Sequence, residues 1–589
     1  MRTLGRWLRR LIGVLLVVAL FAAGLGWYAL RRSLPQLDGE AAVAGLAAAA
    51  TIERDALGMA TVSAASRADA YRALGYVHAQ ERYFAMDLMR RVAAGELSAL
   101  FGPAALEADR RVRMHRFRHR AGGVLAALDA TQRALLDDYV AGVNAGLAAL
   151  AARPFEYYVL RQAPAPWTAA DSILVVHAMF LDLNGGGANA RELALGRMHD
   201  ALPPSAYAFL TPAGSSWDAP LQGGAFEPPP IPPATDIDLR SLPAERFGKA
   251  VAHAGDLGIG SNNFAVSGAL TANGAALVAN DMHLSLRVPN IWFRARLRFP
   301  LDEGAVDIAG VSLPGVPGIV AGSNGRVAWA FTNSYGDWLD WVEVQWLDAG
   351  RTRYRTADGE ARATVARETI EVAGASADVL EVTETIWGPV IAADDEDTGL
   401  ALAWTAHRDG AVDLDLGRME AARSVEEVLA IAADAGVPPQ NLLVGDRSGR
   451  IAWTVIGAMP RRGNHDPQRP ADWTLPGSGW AGWLEPQERP RVVDPADARL
   501  WSANARVAGG ADLALVGNGG YALGARAQQI RDGLRARARF APADLLAVQL
   551  DDRSLFLERW WRLLRDTLGA EPPPALRELA TLTEAWDAR

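Results

Sequence analysis

Apolar and polar positions change their rhythm twice along this chain. An uncharged run from Leu11 to Leu30 follows Arg2, Arg6, Arg9 and Arg10. At 1.5 Å per residue such a run makes a helix of about 30 Å, enough to span a bilayer. The arginines predict a single-pass inner-membrane anchor over residues 1–34, with the rest of the chain periplasmic. A cleaved signal peptide, which would leave a free periplasmic protein, is the competing reading; the length of the run and its end at Trp27, Tyr28, Arg31 and Arg32 favour the anchor. Over residues 35–212 apolar positions recur every three or four, which predicts helices at Ala64–Phe101, Thr131–Ala151 and Asp171–Leu183. Ile52–Val62 alternates instead and reads as strand. Residues 213–260 lose all period in Pro and Gly, including Pro228 to Pro233, and read as a linker or an excised spacer.

After Ser261 the period becomes two. Strands are predicted at Asn263–Val266, Ala276–Ala279, Trp292–Phe299, Val327–Thr332, Thr369–Val372, Ala401–Trp404 and Ile451–Val455. Helical spacing returns at Val425–Ala435 and from Pro542 onward. The class is therefore α+β, with a helical first part joined through the spacer to a sheet-rich part over 261–589.

Composition narrows the chemistry. The net charge of -9 is spread without acidic blocks, which argues against a nucleic-acid partner. Among 59 basic residues only Lys249 is lysine, which removes phosphate-binding loops of the Walker type. With 0 cysteines there is no disulfide, no thiolate metal site and no thiol nucleophile. No Gly-x-Ser-x-Gly elbow, His-Glu-x-x-His helix or EF-hand loop occurs. Gly517-x-Gly519-x-x-Ala522 is a weak dinucleotide match without the expected preceding strand.

One segment stands out, Gly258-Ile259-Gly260-Ser261-Asn262-Asn263, where a serine follows a Gly-containing turn and opens a strand. An ordinary strand-initiating serine fits this pattern. So does a serine exposed as a new N-terminus by cleavage, which carries hydroxyl and α-amine on one residue. An α-amine titrates near 7.7–8.0 and can serve as its own general base.

Ser261-Asn262-Asn263 with Asn280-Asp281-Met282-His283-Leu284 resembles the penicillin acylase family of N-terminal nucleophile hydrolases. In order along the chain, Gly75 to Leu88, Pro166-Trp167-Thr168, Asn441 to Gly449, Pro476-Gly477 with Trp483-Leu484, and Ser502 to Val507 are similar to further signatures of that family. The resemblance implies a four-layer αββα core, a precursor that cuts itself at Gly260-Ser261, and an α/β heterodimer made from one chain. It implies Ser261 as nucleophile, His283 as a polar residue near the nucleophile amine, and Arg526 as an orienting residue. The backbone N–H of Asn333 and the side-chain amide of Asn504 would hold the oxyanion. A structural Ca²⁺ is implied at Glu192, Asp337, the Leu339 carbonyl and Asp340, its oxygen-only ligands suiting that ion, and no organic cofactor is expected. A small N-acylated amide is the implied substrate, a β-lactam side-chain amide or an N-acyl homoserine lactone, which would place the chain in antibiotic metabolism in the first case. Leu284, Trp292 and Phe293 are candidates for an apolar acyl cavity. Two departures stand against the family pattern: the chain stops soon after Trp586-Asp587, where relatives continue, and Trp387 stands where relatives often carry His. A noncatalytic, membrane-tethered ligand-binding remnant of the same fold is the alternative reading.

Overall fold

The computed structural model describes residues 2–238, 260–284, 286–302, 304–393, 398–586 and 588; the part of the expected spacer at 239–259 lies outside the described residues. The N-terminal helix, Arg2–Arg32, is long and apolar enough to cross a membrane, and none of its apolar window is buried against the rest of the protein. Residues 213–238 carry neither helix nor strand.

In the first part, helix Arg67–Ala94 starts where the Ser66 hydroxyl accepts the Asp69 N–H at 3.0 Å and stops at Gly95, whose φ of 63° is left-handed. The helix expected through Phe101 therefore breaks at Gly95, and Ser98–Phe101 is a separate turn. Its partner, helix Ala130–Ala149, comes within backbone contact: a β carbon on Gly142 would sit 1.9 Å from the Arg72 carbonyl oxygen. Only glycine allows that approach. Helix Ala169–Phe180 runs on through a π turn, Leu181–Gly185, into helix Gly186–Ala201. The helix expected to end at Leu183 therefore continues past Gly185, Gly186 and Gly187.

The strands that position the site are β1 (Thr51–Arg54), β2 (Ala60–Ser63), β3 (Gly260–Val266), β4 (Leu277–His283), β5 (Phe293–Leu301), β6 (Gly304–Ser312), β7 (Ala321–Ser323), β8 (Val327–Asn333) and β9 (Leu339–Gln345). The larger sheet runs β1, β2, β5, β6, β7, β8, followed by Gln440–Asp446, Ile451–Ile456 and Arg491–Val493. Strand β2 pairs in parallel with β5, from Ala60 opposite Ala295 to Ser63 opposite Arg298. The hairpin of the first part thus completes a sheet of the second. Helix Arg67–Ala94 covers this sheet, Leu74 and Val77 sharing a core with Leu297, Ile308 and Trp329.

A smaller sheet, Arg499–Ser502 with β3 and β4, lies against β8. Every residue of β3 is buried, which requires cover on both faces. Alternation assigns them: Phe264 and Val266 pack on Ile530 and Leu534 of helix Ala525–Arg535, while Ala265 packs on Leu443 and Trp453 of the larger sheet. Ser261 and Asn263 share the face of Ala265, and the Asn263 amide donates to the Ala330 carbonyl at 2.7 Å. Asn262 lies on the helix side.

Candidate functional site

Ser261 is the second residue of β3 and is 4% exposed. Its backbone N–H donates to Asn504 Oδ1 at 2.5 Å, its carbonyl accepts from Arg526 Nη1 at 2.6 Å, and its hydroxyl donates to the Gly260 carbonyl at 2.6 Å. The hydroxyl thus lies on the peptide unit that its own residue shares with Gly260. Gly260 sits in the strand, so its value is room rather than a special turn. A β carbon there would lie 2.7 Å from Arg526 Nη2 and 3.3 Å from Asn504 Oδ1.

Asn504 follows the strand Arg499–Ser502 with a φ of 63°, a left-handed conformation that costs a non-glycine residue about 1–3 kcal/mol. That backbone turns the buried side chain inward. Its Oδ1 takes both the Ser261 N–H and Arg526 Nη2, the latter at 2.9 Å, and its Nδ2 donates to the Asn333 carbonyl at 3.0 Å. Asn333 ends β8, and its side chain donates to the Leu183 carbonyl at 2.6 Å, which ties this strand end to the π turn of the first part. Four of the expected residues, Ser261, Asn333, Asn504 and Arg526, therefore meet around one peptide bond.

Arg526 Nη1 also donates to Asn262 Oδ1 at 2.7 Å, so among the described residues every acceptor bonded to this guanidinium is a neutral oxygen. Burial pulls its pKa down, opposed by the Tyr335 phenol and the Asp281 carboxylate.

His283 takes a different place. It pairs with Gly260 across β3 and β4, and its Nε2 contacts Asp281 Oδ2 at 2.7 Å. Two residues apart on one strand, the pair shares a face with Asn262, whose Nδ2 donates to Asp281 Oδ2 at 3.2 Å. The hydrogen bond from His283 holds the Asp281 carboxyl below its ordinary value, as do Asn262 and the charge of Arg526. Met282 and Leu284 turn the other way, into the cavity. Asn262, Asp281 and Asn280, whose amide bridges the Asn262 and Phe331 carbonyls at 2.9 Å each, were missed as members of this cluster. The signal for them is three polar side chains on two paired strands, Asn262 buried and Asn280 and Asp281 half-buried.

A cavity of about 280 Å³ opens beside Ser261 and Asn333. Met179, Leu183, Met282, Leu284, Trp292 and Phe331 line its interior, and Gln132 donates to Asp415 at 2.9 Å across its rim. Phe293, expected in its wall, instead packs edge-on to His78 at a centroid distance of 5.1 Å, because its position in β5 points to the opposite face.

The four residues expected around calcium lie elsewhere, at the seam of the two parts. Asp337 is in the loop after β8, but Leu339 and Asp340 belong to β9 rather than to a loop. Glu192, on helix Gly186–Ala201, accepts the Trp341 N–H at 2.8 Å. Arg462 contacts Asp337 Oδ1 at 3.2 Å and Asp340 Oδ2 at 3.1 Å, and Trp480 Nε1 donates to Asp340 at 2.5 Å. Burial, with the like charge of Asp340, pushes Asp337 up to about 7, and burial with the charges of both aspartates raises Glu192. The oxygen chemistry suits a hard cation, but a guanidinium lies between the two aspartates, and among the described residues no three acidic or histidine side chains converge as a metal cage. As arranged, these residues do not fit the ion.

The Penicillin amidase family model matches residues 49–589. Penicillin acylase 2 proenzyme of Pseudomonas sp. (strain SE83) is 32% identical over 95% of this chain and 72% of its own length. Acyl-homoserine lactone acylase QuiP of Pseudomonas aeruginosa is 29% identical over 90% of this chain, which spans 63% of that protein. Penicillin G acylase of Escherichia coli is 24% identical over 77% of this chain and 59% of its own length. Among solved structures, thermostable penicillin G acylase from Alcaligenes faecalis in its orthorhombic form aligns with a TM-score of 0.47 and 19% identity, covering 56% of this chain and 59% of that one.

Proposed function

The chain belongs to the penicillin amidase family, and from that premise we propose that it is a self-cleaving hydrolase of linear amides. The observation that carries this reading is the contact of the Ser261 hydroxyl with the Gly260 carbonyl, inside a peptide unit gripped by Asn504 and Arg526. In maturation Ser261 Oγ attacks the Gly260 carbonyl carbon, its proton passes to the Ser261 nitrogen, and the C–N bond breaks to leave an ester. Water hydrolyses the ester, freeing the Gly260 carboxylate and a Ser261 that bears both hydroxyl and α-amine. In turnover the amine takes the hydroxyl proton as Oγ attacks the substrate carbonyl, then gives it to the departing nitrogen; water releases the acyl group. Asn504 Nδ2, turned from the Asn333 carbonyl that it bonds at rest, and the Asn333 N–H would receive the oxyanion. Each such donor contributes about 3–4 kcal/mol.

The apolar wall beside Ser261 supports a neutral, hydrophobic acyl group, as in a β-lactam side-chain amide or an N-acyl homoserine lactone. The gathered polar residues favour catalysis over a noncatalytic binding role. The four-layer αββα core is supported by the packing of helix Arg67–Ala94 on the larger sheet and helix Ala525–Arg535 on the smaller. After cleavage the pairing of β2 with β5 would hold the two chains together as a heterodimer. The apolar N-terminal helix supports a membrane-tethered, periplasmic enzyme.

Mass spectrometry of the expressed chain tests the first step. A fragment beginning at Ser261 is expected, together with release of the acyl group from a chromogenic anilide. Ser261→Ala should abolish both. An intact wild-type chain, or activity that survives Ser261→Ala, would mean the nucleophile is elsewhere.

A further inference from the structure

Arg526 is a partly buried cation whose three bonded partners among the described residues, the Ser261 carbonyl, Asn262 Oδ1 and Asn504 Oδ1, carry no charge. A charge out of water needs a counter-charge within reach. The carboxylate that acts on it is Asp281, one residue removed: Asn262 accepts from Arg526 with its oxygen and donates to Asp281 Oδ2 with its nitrogen, at 2.7 and 3.2 Å. Asp281 is in turn shared with His283, at 2.7 Å. The chain of contacts His283, Asp281, Asn262, Arg526 ends on Asn504 Oδ1, the atom that holds the Ser261 nitrogen.

That nitrogen is the atom that becomes the amine base. Resting on the reading of Ser261 as an N-terminal nucleophile, we propose that Asp281 is a positioning residue that, through Asn262, supplies the counter-charge of Arg526 and, by sharing its carboxylate with His283, sets how strongly the guanidinium acts on the Ser261 amine. A positive charge beside an amine disfavours the ammonium form and keeps the base free at lower pH. Asp281 damps that effect, and His283 limits the damping. The groups that face the amine are therefore Arg526 from helix Ala525–Arg535, the neutral amide of Asn504, Asp281 and His283 from β4, and Tyr335 from the loop after β8, which acts on Arg526. Leu284 and Met282 face the cavity and take no part.

The test is the pH dependence of covalent inactivation by phenylmethylsulfonyl fluoride, measured on matured enzyme. This readout follows the free amine and does not depend on knowing the acyl substrate. Asp281→Asn removes the damping charge, so the acid limb moves to lower pH by roughly half a unit or more. His283→Asn leaves Asp281 unshared, so the limb moves to higher pH. Asp281→Glu keeps the charge and should hold the limb near wild type. Opposite shifts for the first two variants support the proposal, whereas coincident limbs, or shifts of the same sign, overturn it. Should Asp281→Asn fail to mature, His283→Asn and Asp281→Glu decide alone: an unmoved His283→Asn limb overturns it. A wild-type chain that neither cleaves nor reacts with the sulfonyl fluoride would instead refute the nucleophile reading on which the proposal rests.

Discussion

Two partly buried arginines, Arg526 and Arg462, have opposite company. Arg462 bridges Asp337 and Asp340, with Glu192 close enough for its charge to be felt, and lies where helix Gly186–Ala201 meets β9. Among the described residues Arg526 donates to carbonyl and amide oxygens alone, and its carboxylate stands one residue away. A guanidinium matched by carboxylates spends its field on them and works as a tie. One left facing neutral oxygens keeps its field for whatever chemistry occurs beside it.

Removing each arginine tests that contrast. Arg462→Met strands two buried carboxylates and should destabilise the protein by about 3–5 kcal/mol, read as a fall in chemical-denaturation midpoint. Arg526→Met should lower acyl release by about 10²–10³-fold while the midpoint moves far less. If both variants lose stability equally, the contrast fails. A double variant sharpens it further: Arg462→Met with Asp340→Asn should be less destabilised than the sum of the single changes, with a coupling of about 0.5–3 kcal/mol from a full denaturation cycle. Gly260→Ala forces a β carbon toward Arg526 Nη2 and should slow self-cleavage several-fold, followed as the intact fraction over time.

A last effect concerns pH. His115 and His407 are buried against Trp404, with His115 Nδ1 and His407 Nε2 3.1 Å apart, and His177 is buried against Phe117. Burial drives His115 and His177 down to about 3, with the charge of Arg120 adding to this, and His407 also well below its ordinary value. A histidine whose folded pKa is depressed binds its proton more readily when unfolded. The stability it contributes is complete above about pH 6.5 and is lost as the pH falls toward 3. The melting temperature should decline through that window, and His115→Phe should flatten the decline.

Much of the frame is legible from periodicity, because β5 alternates and helix Ala130–Ala149 repeats every three or four residues, while β3 and β8, buried on both faces, show as short apolar runs. Periodicity predicts strand over Ala276–Ala279, whereas β4 runs to His283, since the polar and half-exposed Asn280, Asp281 and His283 have the composition of a turn. Strand β6 escapes the period-two pattern because Gly304 and Gly310 interrupt it; at Gly310 a β carbon would come within 2.1 Å of the Ala321 carbonyl oxygen. Asp337 to Asp340 read as an acidic loop because charge outweighed the alternation of β9. Ser261, Asn333, Asn504 and Arg526 were named from family resemblance, not from spacing. They lie up to 265 residues apart, and only the fold brings them together.

Strand β3 has one more consequence. Chain ends in proteins usually fray, and a nucleophile placed on a loose end would wander through many orientations. Here the end created by cutting at Gly260 would be the first link of a strand clamped between neighbours on both edges, with Phe264 and Val266 wedged three and five links along. Cutting would give Ser261 a new chemical group without giving it new freedom. The sheet acts as a vice, and the reactive residue is what protrudes from its jaw.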